Sequence, residues 1–368
     1  QELYDEVRAN FAAFLADRKP GQPFCYWFGP THTHRQWERG SGKALWGIDP
    51  AQLRGKLPPF LPDVPEVRED LADYFGEVQA LDAVVGFFRD QLEAMGELEQ
   101  TLLVLSGDHG APGFPQGKCN LYDFGTGVAL AVRGAGTHGG RVVDDFVNLM
   151  DLAPTFLEIG GVTPPEVMTG RSLVKVLRST KSGLVDGQRT WVVTGRERHV
   201  AAARDGFLPY PQRALRTKDY LYILNFAPDR WPLGNPFNLA PGTSPDTATL
   251  REDTMITFMD MDASPTKAWL VTHREDPQWR RYYERAFGQR PREELYVLAR
   301  DPHQVNNVAA DPEYASVRAA LEKQLLAELK RTGDPRLVDG GRYYETPPLA
   351  GPVPGQEKAR SARPKAKP

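Results

Sequence analysis

The stretch that most constrains this chain is Thr101 to Arg133, TLLVLSGDHGAPGFPQGKCNLYDFGTGVALAVR. Leu102 to Leu105 is an apolar run with the length and composition of a buried parallel strand. It stops at Ser106, Gly107, Asp108, His109 and Gly110. A carboxylate and an imidazole therefore stand where open α/β sheets hold their ligands, outside the carboxyl ends of the strands. The following GAPGFPQG is rich in glycine and proline and predicts a loop that returns Lys118 to the same crevice. A metal-ligating pair and an ammonium converging on one rim would equip a site for a cation and an oxyanion.

Other segments point to the same edge. Pro23 to Phe28 (PFCYWF) predicts a buried strand whose polar exit carries His32 and His34. The long excursion Arg35 to Asp63 has no clear period, and its Trp37, Arg39, Lys43 and Trp46 suit either sugar stacking and anion contact or plain packing. Val64 to Leu98 carries apolar residues at helical spacing and predicts one long crossover helix, or two, right-handed by the usual rule for parallel strands. Thr190 to Thr194 predicts a third strand, ending in Gly195-Arg196-Glu197-Arg198-His199. Arg198 and His199 fit an anionic-sugar subsite, because paired guanidinium N–H groups suit sulfate and carboxylate; the same group also fits an ion-paired loop. Val142 to Ile159 predicts a helix with Asp144 and Asp145 in its first turn, where negative charge is favourable.

Beyond Tyr210 the pattern becomes antiparallel: 212–217 and 220–225 form a predicted hairpin around Lys218-Asp219, and 294–298 a further strand. A helix over 310–330 could cover that sheet. The expected organisation is α/β: a mostly parallel sheet flanked by helices over 1–210, a smaller α+β domain over 211–340, and a disordered basic tail over 341–368.

With 368 residues the chain can build two domains. A net charge of -3 argues against nucleic acid as a main partner, and no apolar run approaches the span of a membrane helix. Cys25 and Cys119 allow at most one disulfide and do not reveal the compartment. The chain opens inside an amphipathic helix (Leu3, Val7, Phe11, Phe14, Leu15) whose apolar face needs a cover, which suggests a cut in a longer protein.

Asp108-His109-Gly110 after a strand, a short proline-containing loop, then Gly117-Lys118-Cys119-Asn120-Leu121-Tyr122-Asp123 and a second strand ending in Val132-Arg133 resembles the second metal-binding segment of the sulfatases. The likeness is strongest to their sulfamidase, or heparan N-sulfatase, branch and runs from about Pro23 to about Leu337. It implies an alkaline-phosphatase-like fold and hydrolysis of a sulfate ester or sulfamate on a sulfated sugar. In that reading Lys118 and His34 are catalytic: the ammonium holds the sulfate oxygens, and the imidazole donates a hydrogen bond and acts as general acid. Asp108 and His109 would hold a divalent cation, Ca²⁺ first, with Mg²⁺ or Mn²⁺ as alternatives. His109 departs from the commonest pattern, which has Asn there. An Asp-His pair also occurs in related phosphonate and phosphodiester hydrolases, which remain an alternative activity. The formylglycine segment C/S-x-P-x-R and two further Asp ligands of the family are absent from this sequence. The resemblance therefore implies either a sulfatase read without its N-terminal portion, inactive as it stands, or a non-catalytic protein that binds sulfated glycans. Oligomeric state is left open, and an exported or lysosomal setting is only the habit of the family.

Overall fold

The computed structural model describes residues 2–346 apart from Pro20 and His32, with side chains from Tyr4 onward. His32 and the part of the basic tail beyond Thr346 lie outside the described residues.

The first helix, Glu2–Ala16, buries Val7 and Phe11, one turn apart, against Val84 and Phe88 of the long helix Pro65–Ala94. That long helix opens on Pro65, where a missing N–H costs nothing. The apolar face of the first helix thus finds its cover within this chain. Tyr26 and Phe28 pack on the same cluster from an extended segment and Phe24 meets the Phe14 ring, while Trp27 is 84% exposed. Pro23 to Phe28 is therefore extended with two distinct faces, but it belongs to none of the strands, contrary to the strand expected there. Its side-chain alternation is that of a strand, and what it lacks among the described residues is a backbone neighbour.

The described residues form six strands. β1 (Leu103–Ser106) pairs antiparallel with β2 (Leu130–Arg133), with Leu103 opposite Arg133 and Ser106 opposite Leu130. β3 (Trp191–Arg196), β4 (Gln212–Thr217), β5 (Tyr220–Asn225) and β6 (Glu293–Val297) form one antiparallel sheet in that order. The α/β class holds, but the mostly parallel sheet is not what the described strands form. Residues 107–129, which include the short helix Asp123–Thr126, join β1 to β2, and the register between them is antiparallel.

Strand alternation gives the larger sheet two apolar faces. Leu215, Tyr222, Leu224 and Leu295 meet Leu321, Leu325 and Leu329 of the helix Ala315–Arg331. Ala214, Leu221, Ile223 and Tyr296 meet Leu121 and Tyr122, just beyond Lys118. The Glu294 carboxylate, buried at that second face, accepts from Tyr122 Oη (2.7 Å), Tyr296 Oη (2.6 Å) and Asn225 Nδ2 (2.8 Å), which satisfies it. The β4–β5 hairpin, the strand after it and the helix over 310–330 stand as the sequence led one to expect. β3, however, lies before the expected boundary at 210 and pairs with β4 beyond it. The predicted helix over 142–159 is shorter: Leu152–Ile159, preceded by one tight turn at Leu149–Asp151. Asp145 lies ahead of it and is buried, its carboxylate accepting from the backbone N–H groups of Val185 and Asp186 at 2.6 and 2.7 Å. The start of the expected tail holds a short helix, Arg342–Glu345.

Candidate anion-binding site

The loop after β1 is buried almost throughout from Ala111 to Gln116, and Lys118 N–H closes it on the Ala111 carbonyl at 3.1 Å. It thereby returns Lys118 to the level of Gly110. The chain is packed so tightly there that a Cβ on Gly110 would stand 1.8 Å from the Phe124 carbonyl oxygen. Gly110→Ala is expected to cost about 1–3 kcal/mol, because neighbouring backbone must move; urea unfolding of variant and wild type measures it, and an unchanged midpoint would contradict it.

Lys118 is buried, and its Nζ makes three close approaches: 3.2 Å to His34 Nε2, and 3.4 and 3.3 Å to the two carboxylate oxygens of Asp262. His34 Nε2 lies 3.9 Å from Asp262 Oδ1. His34 Nδ1 is 2.7 Å from the Arg35 carbonyl, which can only accept, so Nδ1 carries the proton. Nε2 is then the acceptor facing Lys118, and it becomes a donor to an anion once it takes a second proton. The His34 side chain is about half exposed (52%), whereas that of Lys118 is almost covered (7%). A ligand approaching from solvent meets the imidazole first and the ammonium beneath it.

Asp262 is the residue that sequence reading missed. It lies in FMDMDASP, and two carboxylates in so apolar a stretch must be buried and paired, a signal that could have been read. Asp260 supplies the framework. It is fully buried, with Arg196 at 2.5 Å, Arg204 at 2.9 Å and the Val200 N–H at 2.8 Å. Burial acts to raise its carboxyl, but the two guanidiniums prevail and hold it below the ordinary range. Arg196 also donates to the Cys119 carbonyl at 2.5 Å. One guanidinium thus ties the residue after Lys118 to the residue two before Asp262, which fixes the two side chains against each other.

That clamp also decides how Gly195 to His199 is used. Glu197 pairs with Arg213 and Arg336. Arg198 donates to the carbonyls of Phe207 and Tyr344, so its guanidinium is engaged in holding backbone and is not among the groups gathered around Lys118. Burial, and then the Lys118 ammonium, push the His199 imidazole below its ordinary value. Arg35 pairs bidentately with buried Asp70 and stacks on Trp37, 3.8 Å from the ring centroid, so Trp37 packs. Burial pushes the Cys119 thiol up to about 11, which suits a small packed residue and not a nucleophile.

Asp108 and His109 stand side by side, with Asp108 Oδ2 3.4 Å from His109 Nε2 and the carboxylate 87% exposed. Among the described residues no group of three or more His, Cys, Asp or Glu could hold a metal ion. Calcium takes six to eight oxygen ligands, so this pair alone does not fit it. No step below runs through a metal.

Residues 1–162 match the family model for sulfatases. The chain carries a sulfatase-family domain. Over 293 residues it is 30% identical to human N-sulphoglucosamine sulphohydrolase, the match taking in 76% of this chain and 51% of that protein. It is 28% identical over 279 residues to an ulvan-active sulfatase of Formosa agariphila, across 76% of this chain and 41% of the other. The chain spans about half the length of the curated relatives it matches, or less. A solved structure from Bacteroides thetaiotaomicron, belonging to work on the metabolism of multiple glycosaminoglycans, superposes with a TM-score of 0.62 at 17% identity, over 94% of this chain and 61% of that one. That likeness supports the alkaline-phosphatase-like α/β fold. Sulfatases in general use a divalent cation.

Proposed function

We propose that the chain binds a sulfated carbohydrate at Lys118 and His34, as the sulfate-holding part of a sulfuric ester or sulfamate hydrolase. The observation that carries this is the 3.2 Å approach of the buried Lys118 ammonium to a half-exposed imidazole, in a chain of sulfatase sequence. The ammonium supplies fixed charge to the sulfate oxygens, a stabilisation that needs no rearrangement when charge grows on them. His34 sits at the mouth, where a protonated Nε2 would donate to the anion or to the departing atom. The human relative is named for the hydrolysis of sulphoglucosamine, and that name is the source of the sugar in this proposal.

The sequence holds no C/S-x-P-x-R segment, so the chain by itself supplies no formylglycine. Its turnover of an aryl sulfate is expected to be nil, and measurable release of the phenol would overturn this account of the nucleophile. Binding is a separate matter. Lys118→Ala is expected to weaken binding of D-glucosamine 2-sulfate at least tenfold by calorimetry, roughly the loss of one charge-assisted hydrogen bond. Unchanged affinity would remove Lys118 from the site.

A further inference from the structure

A carboxylate next to the ammonium that must hold an anion works against the anion, since it already neutralises much of the charge. Asp262 is nonetheless in place, with a side chain only 11% exposed. Its role is not that of Asp260, which holds two arginines and a backbone N–H. Among the described residues the side chain of Asp262 has hydrogen bonds and ion pairs with Lys118 and His34 alone. Its Oδ2 is buried and, although 3.3 Å from Lys118 Nζ, is in hydrogen-bonding geometry with no donor. An ionised carboxylate has room for about four hydrogen bonds, and a buried one left short is costly. A donor carried by a ligand at the rim would satisfy it.

We propose that Asp262 is a specificity-determining residue, its free oxygen accepting a hydrogen bond from a hydroxyl or N–H that the ligand carries beside the sulfate held by Lys118. This rests on the sulfate-binding reading above. With such a ligand the carboxylate changes from competitor to partner: Lys118 turns part of its charge to the sulfate, and the sugar's donor takes over at Oδ2. A sulfate without a neighbouring donor meets only the competition. Sites built around a buried polar group discriminate strongly against analogues that leave it unpaired.

The test compares two ligands on the whole chain: methyl sulfate, which has no donor, and D-glucosamine 2-sulfate, which has several. In Asp262→Ala, D-glucosamine 2-sulfate is expected to bind at least about tenfold more weakly, while methyl sulfate binds as well as before or better. Asp262→Asn, which keeps the shape and removes the charge, should move both ligands in the same directions by smaller factors, and it serves if the alanine variant does not fold. Equal weakening of both ligands would show that Asp262 only positions Lys118, and no change in either would show that it does not touch the ligand; both overturn the proposal. If the wild type binds neither ligand, the sulfate-binding reading itself fails, an outcome distinct from these.

Discussion

Asp260→Ala is expected to destabilise the chain by about 3–5 kcal/mol, the usual cost of removing one partner from a buried ion cluster. Two guanidiniums depend on this carboxylate. Arg196 is buried and also holds the Cys119 carbonyl; Arg204 is buried and also donates to the carbonyls of Trp231 and Pro232. Without Asp260 both keep their positive charge in a place that water scarcely reaches. The Val200 N–H loses its acceptor as well. Asp260→Asn would leave a hydrogen-bond acceptor and still lose the charge, so it should fall between the two. Urea unfolding of the three proteins, read as a shift of midpoint at constant slope, gives the numbers. A loss of less than about 1 kcal/mol for alanine would mean that the cluster relaxes to solvent and does not anchor the Lys118 rim.

The second large effect belongs to Lys267, in the helix Pro265–Thr272. Its side chain is fully buried, and its Nζ donates to the carbonyls of Met261, Phe258 and Thr254 at 2.7, 3.3 and 3.4 Å. Those carbonyls belong to the segment that presents Asp260 and Asp262. Burial pushes the ammonium down to about 7, although Asp262, Asp253 and Asp260 act in the opposite direction. An unfolded lysine titrates near 10.4, so between about 7 and about 10.4 the unfolded chain holds a proton that the folded chain has released. Stability therefore rises with pH across that window, and the gain is lost as pH falls toward the folded value. Lys267→Met removes this proton. The stability of the variant minus that of the wild type should accordingly fall by about 1.4 kcal/mol per pH unit, or about 3 kcal/mol over two units within the window. Subtraction cancels groups that titrate alike in both proteins. Urea unfolding at three pH values measures it, and a difference independent of pH would show that Lys267 keeps its ordinary proton affinity.

The rim itself was legible in the sequence because its parts follow local rules. A β-run that breaks at Ser106, a loop of glycine and proline and a lysine after it are enough to bring Lys118 back, and a polar exit from an apolar segment brings His34 to it. What pairs with what was less legible. β1 and β2 share one sheet and β3 to β6 another, and a short apolar run such as Leu102 to Leu105 reports that a strand is buried without naming its neighbour. Asp262 was hidden for a different reason: it reaches Lys118 across 144 residues, through an arginine whose partner no local pattern names. The basic group Gly195 to His199 left two readings open because an arginine cluster reads alike whether it waits for an anion or already holds carboxylates of its own chain. Only Asp260 and Glu197, found in space, tell the two apart.

The Arg196 clamp has a practical consequence for anyone dividing this chain. A fragment that stopped near Tyr210 would retain Lys118 and His34 yet strand Arg196 and Arg204 without counter-ion, while β3 would lose β4, its ladder neighbour. Expression trials should therefore move residues 191–298 as one block, and any chimaera that swaps this block must import matching arginines and aspartates together.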